Sequence, residues 1–330
     1  MSIKVLVTPR SFGKSDPVPM EMLQEAGCEV ISNPFGRVMS EEEIIQLIQD
    51  MDGIIAGLDP YPARVLSKAH RLKAISRYGV GVNNVDLDYA SSKGIAVTNT
   101  PGANSLAVAE LALGLLFAVC RRINLSDRGI RQGMWRQYPG LQTEGKTMGI
   151  VGTGQIGKAV AELARGLRMQ VICYDIRPDQ VWAEKIGVVY VPFTELICTS
   201  DFMSLHIPLS EHTYHLISHS ELAQMKPSAV IINTSRGGII DEDALCDAIS
   251  ENRIWGAGLD VFEEEPPVGS PLLGLDGVVL TSHIGAHTQE SVENMGRLAV
   301  ANLLDCLSGR TPKFIVNAET KGSIESASAG

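Results

Sequence analysis

The most constraining feature of the sequence is the stretch from Gly149 to Asp175, which reads GIVGTGQIGKAVAELARGLRMQVICYD. An apolar run leads into three glycines, Gly152, Gly154 and Gly157, then a helix-like segment and a second apolar run that ends at one aspartate. In a strand–turn–helix of this kind, the first glycine allows a tight bend, the second lets the backbone approach a pyrophosphate, and the third lets the helix pack on the strand. The pattern predicts a βαβ unit that binds a dinucleotide.

Asp175 indicates which dinucleotide the sequence favours. It follows Gly157 by 18 positions, at the end of the second strand. A carboxylate at this place accepts hydrogen bonds from the adenosine ribose 2′-OH and repels a 2′-phosphate. Arg177, two positions further on, slightly weakens that preference. The sequence therefore predicts NAD as the cofactor, and a glycine-rich turn without a ligand is the alternative.

The rest of the chain alternates short apolar runs with helix-length segments. This alternation is typical of α/β proteins with a parallel sheet and helices on both faces. The pattern restarts after about residue 100 with six strand-like runs, from TMGIVG to GVVLTSH, and a chain of 330 residues is long enough for two cores. We predict two doubly wound, Rossmann-like units. The tail from Lys321 to Gly330 is small and polar, which predicts disorder.

Composition limits the classes of partner and site. A net charge of −10 argues against a nucleic-acid partner, because phosphate binding requires a basic face. The six cysteines form no CxxC pair, which predicts buried reduced thiols, and no metal site is expected. The histidines His212, His215 and His219 lack an accompanying cysteine or acid at ligand spacing, so a zinc site is not predicted there.

Two segments bear on location. The opening MSIKVLVTPR leads directly into a strand pattern, so we expect no signal peptide and a cytoplasmic protein. The run from Ser105 to Cys120 is strongly apolar, but it is shorter than the roughly 20 residues of a membrane span and it contains Glu110. It predicts a helix buried in the protein or at a subunit interface, with no membrane partner.

Three stretches that follow strands of the second unit carry candidate chemical groups. They contain Arg236, Asp260 with the acids Glu263 to Glu265, and His283 with His287. Hydride transfer from an alcohol requires a base for the hydroxyl proton, a cation for the substrate's carboxylate, and an acid that stabilises the charged base. Histidine, arginine and a carboxylate meet these requirements, although the residues alone do not decide which of the three glutamates acts.

The sequence resembles the D-2-hydroxyacid dehydrogenase family, most closely its phosphoglycerate dehydrogenases. The resemblance covers nearly the whole chain, through RYGVGVNNVD, GIAVTNTPGANSLAVAEL, GKTMGIVGTGQIG, HIPL, NTSRGG, LDVFEEEPP and SHIGAHT. It implies a substrate-binding domain of residues 1–100 plus 288–330, with the NAD-binding domain, residues 101–287, inserted between them. It also implies an NAD-dependent oxidoreductase that acts on the CH–OH group of donors.

The resemblance assigns roles to particular residues. Arg236 would bind the substrate's carboxylate and the reacting oxygen, His283 would be the general acid/base, and Glu265, directly before Pro266, would raise the basicity of His283. Arg77 would bind substrate, and backbone N–H groups around Tyr78, Gly79, Val80 and Gly81 would face the substrate carboxylate. The implied cofactor contacts are Gly152, Gly154, Gln155, Ile156 and Gly157 at the pyrophosphate, Asp175 at the ribose, Ile207 and Pro208 along the groove, Thr234 and Ser235 near the nicotinamide ribose, Asp260 at the carboxamide, and Gly285 and Ala286.

The substrate expected first is 3-phosphoglycerate, with a role in serine biosynthesis. Arg77 fits one position of the family's phosphate-binding arginines, but Gly57 and Leu58 stand where a second arginine often occurs, and Arg136 is a candidate for a neighbouring subunit's site. Glycerate with hydroxypyruvate, glyoxylate with glycolate, and D-lactate are the alternatives, and phosphite is a remote one. A different class, an NAD-sensing binding protein such as a corepressor, also stays open.

The resemblance to the family implies two further expectations, one about assembly and one about regulation. Family members dimerise through the region of the apolar helix, so a homodimer is expected. The chain also ends without the regulatory C-terminal domain that many members carry, so feedback by serine through such a domain is not expected.

Overall fold

The computed structural model describes residues 2–317 and divides the chain into two compact units. The first unit combines the described residues up to Asn104 with those from Ala286 onward, and the second is Ser105–Gly285. The boundaries expected from the sequence were residues 100 and 287. The disorder predicted for residues 321–330 lies outside the described residues.

The first unit is built on a five-stranded parallel sheet with the order β2-β1-β3-β4-β5. The chain winds outward in both directions from β1 and β3, as in doubly wound folds. Its strands are β1 (Ile3–Val7), β2 (Cys28–Ser32), β3 (Gly53–Ala56), β4 (Ala74–Arg77) and β5 (Ala96–Thr98). Its early helices are α1 (Val18–Glu25), α2 (Glu41–Ile48), α3 (Ala63–Leu66) and α4 (Leu87–Ser92).

The end of the chain completes the first unit. Its long helix, which we call α12 (Gln289–Leu307), packs on β3, β4 and α1. Beyond it, Val316 donates its N–H to the carbonyl of Val97, and the side chain of Asn317 bonds both Val97 N–H and the carbonyl of Ile95. The sheet edge at β5 is therefore covered by residues more than 200 positions away in sequence.

The second unit is built on a seven-stranded parallel sheet with the order β12-β11-β10-β9-β6-β7-β8. The chain reverses its winding between the adjacent strands β6 and β9, and ligands of open α/β sheets bind at the carboxyl ends of the strands beside such a reversal. Its strands are β6 (Thr147–Val151), β7 (Gln170–Tyr174), β8 (Val189–Tyr190), β9 (Phe202–Leu205), β10 (Val230–Asn233), β11 (Gly256–Leu259) and β12 (Val278–Leu280).

Helices cover both faces of this sheet and enclose two apolar cores. The helix α5 (Ser105–Cys120) occupies the apolar run that the sequence predicted to be helical, and it packs on α7 (Gln155–Gly166), β10 and β11 with most of its side chains buried. In the described part of the chain, no helix has both the length and the apolar character needed to cross a membrane. The helices are α5 (Ser105–Cys120), α6 (Ile123–Arg131), α7 (Gln155–Gly166), α8 (Gln180–Ile186), α9 (Phe193–Thr199), α10 (His219–Leu222) and α11 (Glu242–Ser250).

The predicted class, α/β with two Rossmann-like parallel sheets, is confirmed. One detail differs from the sequence-based prediction. The second sheet has a seventh strand, β8, whose two residues are too few to show a hydrophobic period.

Candidate dinucleotide site and catalytic cluster

The loop between β6 and α7 has the geometry that its glycines predict. Gly152 has a φ of +91°, and a Cβ on it would lie 2.6 Å from the carbonyl oxygen of His206. A Cβ on Gly157 would lie 1.9 Å from the carbonyl oxygen of Gly152, so helix and strand touch there through bare backbone. A Cβ on Gly154 would meet nothing within 4 Å, which leaves that side of the loop open to a ligand.

The open side of this loop is the N-terminal end of α7. Gln155 and Ile156 are the first residues of the helix, after the cap residue Gly154. The first N–H groups of a helix have no partner within the helix, and together with the helix dipole they attract an anion. The loop therefore fits the pyrophosphate of a dinucleotide.

Asp175 follows β7 directly and is bound to the glycine-rich loop. Its Oδ2 accepts hydrogen bonds from the N–H of Thr153 at 2.6 Å and from its hydroxyl at 2.9 Å, while Oδ1 accepts the N–H of Arg177 at 2.8 Å. Partial burial raises the pKa of this carboxyl, but the donated hydrogen bonds outweigh burial and hold the pKa below its ordinary value. Asp175 is thus a fixed carboxylate at neutral pH.

Other predicted cofactor contacts lie at the carboxyl ends of the neighbouring strands. Ile207 and Pro208 follow β9, and Thr234 and Ser235 follow β10. The hydroxyl oxygen of Thr234 is buried and has no hydrogen-bond partner among residues 2–317. A buried hydroxyl without a partner costs stability, and a polar ligand group at this edge of the sheet would supply the missing partner.

Asp260, after β11, organises the segment that carries the predicted acid/base. Its Oδ1 accepts the Thr281 hydroxyl at 2.6 Å and the Ile284 N–H at 2.8 Å, and its Oδ2 accepts the Gly285 N–H at 2.8 Å. Its main-chain carbonyl accepts the N–H of His283 at 2.9 Å. The sequence-based reading assigned Asp260 only to the cofactor's carboxamide, whereas the structure shows that it also shapes the loop before Ala286.

His283 and Glu265 form a direct pair. Nδ1 of His283 lies 2.8 Å from Oε2 of Glu265, and the other carboxylate oxygen of Glu265 accepts the N–H of Phe262 at 3.2 Å. An ionised carboxylate only accepts hydrogen bonds, so Nδ1 carries the proton in this pair. Nε2 of His283 is therefore the nitrogen left for proton exchange with a substrate.

Charges around Glu265 keep it ionised. Burial raises the pKa of Glu265, but the hydrogen bond and charge of His283, the N–H of Phe262 and the charge of Arg236 together hold it below its ordinary value. Burial also lowers the pKa of the Arg236 guanidinium, which Glu265 partly offsets. Since Arg236 follows β10 in the turn held by Asn233, the second unit brings a guanidinium, a carboxylate and an imidazole into one electrostatic cluster.

Asn233 was not singled out from the sequence, although the turn depends on it. Its side-chain oxygen accepts both the N–H and the hydroxyl of Ser235, and its amide donates to the carbonyl of Arg236 at 2.8 Å. An asparagine that bonds its own backbone two residues on is a common turn former, so its place at a strand end was the available signal.

The predicted substrate segment lies in the first unit, after β4. Arg77 is 5% exposed, and its guanidinium donates to Asn84 Oδ1 and to the carbonyls of Ala56 and Tyr78. The N–H of Tyr78 donates to the carbonyl of Ala56 at 2.9 Å. Because the sheet already uses the Tyr78 N–H, the N–H groups of residues 79–81 are the better candidates in this segment, and its contact with a substrate carboxylate stays a prediction.

Residues 113–285 match the family model described as D-isomer specific 2-hydroxyacid dehydrogenase, NAD binding domain. The chain belongs to this family. The predicted NAD-dependent dehydrogenase class is thus confirmed, and the second unit of this dehydrogenase is its NAD-binding domain.

Named relatives of the dehydrogenase differ in substrate. A glyoxylate reductase of Thermococcus litoralis is 43% identical over 83% of this chain and 86% of its own length. A D-3-phosphoglycerate dehydrogenase of Methanocaldococcus jannaschii is 39% identical over 96% of this chain, which spans only 59% of that protein. Among solved structures, a D-lactate dehydrogenase of Aquifex aeolicus complexed with NAD and lactic acid superposes with a TM-score of 0.82, at 28% identity over 95% of this chain and 99% of that one.

Proposed function

We propose that this dehydrogenase uses NADH to reduce a small, unphosphorylated 2-keto acid of the glyoxylate class to its 2-hydroxy acid. The observation that carries the proposal is the His283–Glu265 pair, at 2.8 Å, in the same unit as the dinucleotide loop and within the charge field of Arg236. These are the groups that hydride transfer between an alcohol and a carbonyl requires beside a nicotinamide.

The glycine-rich loop and Asp175 would hold NADH, which would supply the hydride, while the side chains bind the substrate and transfer the proton. In reduction, Nε2 of protonated His283 donates a proton to the carbonyl oxygen as that oxygen gains charge. Glu265 stabilises the imidazolium and fixes the proton on Nδ1. The guanidinium of Arg236 binds the substrate's carboxylate and polarises its carbonyl, which suits the planar, forked arrangement of its donors. In oxidation, the same histidine accepts the proton.

The first unit supports an unphosphorylated substrate. A Cβ on Gly57 would lie 3.0 Å from Oδ2 of Asp59 and 3.2 Å from the hydroxyl of Thr8, so this position resists the arginine that phosphate recognition would use, and Leu58 beside it carries no charge. Asp59 is held by Thr8 and by the N–H of Met39, which makes this packing rigid. Because Arg77 is also occupied by backbone carbonyls, we infer glyoxylate or hydroxypyruvate as the substrate in place of the phosphorylated acid expected first.

A second candidate substrate is 3-phosphohydroxypyruvate, the keto acid of 3-phosphoglycerate. It is favoured by the phosphoglycerate dehydrogenase that matches 96% of this chain. A role in serine biosynthesis would follow from this substrate and remains a prediction. A cytoplasmic location is a separate prediction, which localisation in the source cell would test.

We also infer that the dehydrogenase is a homodimer. The second unit exposes apolar side chains on α6 and in the segment that follows it, where Ile123, Ile130 and Met134 are each at least half exposed and Trp135 is 88% exposed. A patch of this kind marks a protein interface more often than a free surface. Sedimentation equilibrium of the wild type against Ile130→Asp tests the inference, with a dimer that dissociates in the variant as the expected result.

The substrate proposal is tested by NADH oxidation at 340 nm with glyoxylate, hydroxypyruvate, pyruvate and 3-phosphohydroxypyruvate. We expect kcat/KM to be at least about tenfold higher for glyoxylate or hydroxypyruvate than for the phosphorylated acid. The reverse order would support the second candidate. NADH binding without turnover of any of the four acids would instead support an NAD-sensing protein.

A further inference from the structure

Thr153 takes part in a chain of hydrogen bonds that its position in the glycine pattern does not require. It lies between Gly152 and Gly154, where the glycine pattern places no demand on the side chain, yet it is 6% exposed. Its hydroxyl lies 2.9 Å from Oδ2 of Asp175 and 2.7 Å from the hydroxyl of Tyr190 on β8. The Tyr190 hydroxyl in turn accepts the N–H of Asp179 at 3.1 Å.

The two groups at the ends of this series of hydrogen bonds, the N–H of Asp179 and the carboxylate of Asp175, determine the direction of every bond in it. The N–H of Asp179 can only donate, and the ionised carboxylate of Asp175 can only accept. Tyr190 therefore gives its single proton to Thr153, and Thr153 gives its own to Asp175. We call this series, Asp179 N–H to Tyr190 to Thr153 to Asp175, the hydroxyl relay.

The far end of the relay is anchored by charge. The carboxylate of Asp179 accepts the N–H of Trp182 at 3.0 Å and pairs with the ammonium of Lys158, which belongs to α7. The relay thus connects the dinucleotide loop, the segment after β7 and strand β8. Asp175 cannot rotate away from the loop without breaking bonds in several elements.

We propose that Thr153 and Tyr190 are positioning residues that give the dehydrogenase its preference for NAD over NADP by fixing the Asp175 carboxylate. The inference rests on the proposed contact of Asp175 with the adenosine ribose. With Oδ2 taken by two donors of Thr153, Oδ1, which accepts the Arg177 N–H, is the oxygen that we assign to a ribose hydroxyl. A carboxylate held in this way cannot turn aside to admit a 2′-phosphate, whereas a released one can.

The test compares the affinities of the full-length protein for NADH and NADPH, measured by fluorescence titration without substrate. Thr153→Val removes the hydroxyl and keeps the shape, and Thr153→Ser keeps the hydroxyl. Tyr190→Phe breaks the relay one step earlier. Tyr174→Phe is the matched control, because it removes a hydroxyl from the residue before Asp175 without touching the relay.

We expect the ratio of the NADPH and NADH dissociation constants to fall about 3- to 10-fold in Thr153→Val and Tyr190→Phe, the loss typical of one hydrogen bond. Thr153→Ser and Tyr174→Phe should keep the wild-type ratio. An unchanged ratio in Tyr190→Phe overturns the inference, as does an equal loss in Thr153→Ser and Thr153→Val.

The same titration separates this inference from the proposal on which it rests. If the wild type binds NADPH as tightly as NADH, or if Asp175→Ala leaves the ratio unchanged, the ribose assignment of Asp175 itself fails. If Asp175→Ala lowers the ratio while the relay variants do not, only the relay fails. Thermal unfolding of each variant shows whether it is folded, and should Thr153→Val not fold, Tyr190→Phe decides.

Discussion

Nδ1 of His283 is hydrogen bonded to Oε2 of Glu265 at 2.8 Å, so the imidazole is held in one tautomer with Nε2 available for proton exchange. The two residues come from separate loops after β11 and β12. The carboxylate of Asp260 holds the second of these loops by accepting the N–H groups of Ile284 and Gly285. The pair therefore depends on the packing of the loops as well as on its own contact.

Replacing His283 should remove proton transfer and leave cofactor binding intact. We expect His283→Ala to lower kcat by about 10²- to 10⁴-fold, the usual contribution of a general acid/base. The dissociation constant of NADH, from fluorescence titration, should change less than twofold. The exposed His70 provides a control, since His70→Ala should not alter kcat. A large loss of NADH affinity in His283→Ala would contradict the role assigned here.

Glu265→Gln should slow reduction. The carboxylate of Glu265 fixes the proton on Nδ1 of His283, and a neutral amide no longer stabilises the charged imidazole. We expect kcat at pH 7 to fall about 10-fold or more. The measurement is kcat of both proteins at pH 7, and an unchanged kcat would show that Glu265 does not support the acid/base.

The same pair should affect stability in acid. The pKa of Glu265 is lower in the folded protein than its ordinary value of about 4.3, so its ionised form stabilises the fold above that pH. This contribution is lost as pH falls through the folded pKa. Because the carboxylate is 35% exposed, we expect less than about 1 kcal/mol. Urea unfolding of wild type and Glu265→Gln should therefore differ most near neutral pH and converge as the pH falls through the folded pKa of Glu265.

Arg236→Lys should separate substrate binding from cofactor binding. A lysine keeps the charge but loses the forked pair of donors that fits a carboxylate. We expect the KM for the keto acid to rise and kcat/KM to fall about 10²-fold, with NADH affinity nearly unchanged. Equal kcat/KM in the variant and the wild type would remove Arg236 from the substrate site.

Two glycines of the dinucleotide loop should give opposite results when changed to alanine. Gly157→Ala places a Cβ 1.9 Å from the carbonyl oxygen of Gly152, so we expect it to destabilise the fold by about 1–3 kcal/mol or more. Gly154→Ala meets no atom within 4 Å and should unfold at nearly the wild-type temperature, yet lose NADH affinity at least about tenfold. Thermal unfolding and NADH titration of both variants measure the two effects, and retained NADH affinity in Gly154→Ala would place the pyrophosphate elsewhere.

Much of the fold could be predicted because its signals are local. Strands such as β6 and β7 are continuous apolar runs, and the glycines between them have a fixed spacing. The two-residue β8 has no such period, and its Tyr190 reaches Thr153 across 37 residues of sequence. That contact follows from the order of strands in the sheet, which no local pattern shows.

The candidate site could also be predicted only in part. Residue types and the family resemblance pointed to Arg236, Glu265 and His283, because the chemistry restricts which groups can act. The hydrogen bonds by which Asn233 and Asp260 hold their loops could not be predicted from the sequence, because they depend on where backbone N–H groups point. The use of the Tyr78 N–H by Ala56 was missed for the same reason.

The first unit is assembled from two distant parts of the chain, with Val316 and Asn317 bonded to β5. During synthesis the ribosome releases the continuous second unit, Ser105–Gly285, before the residues that complete the first have been made. Until then the edge of β5 and the apolar face that α12 covers stay open to water. The nascent protein thus passes through a stage in which the second unit is complete while the first unit still lacks α12.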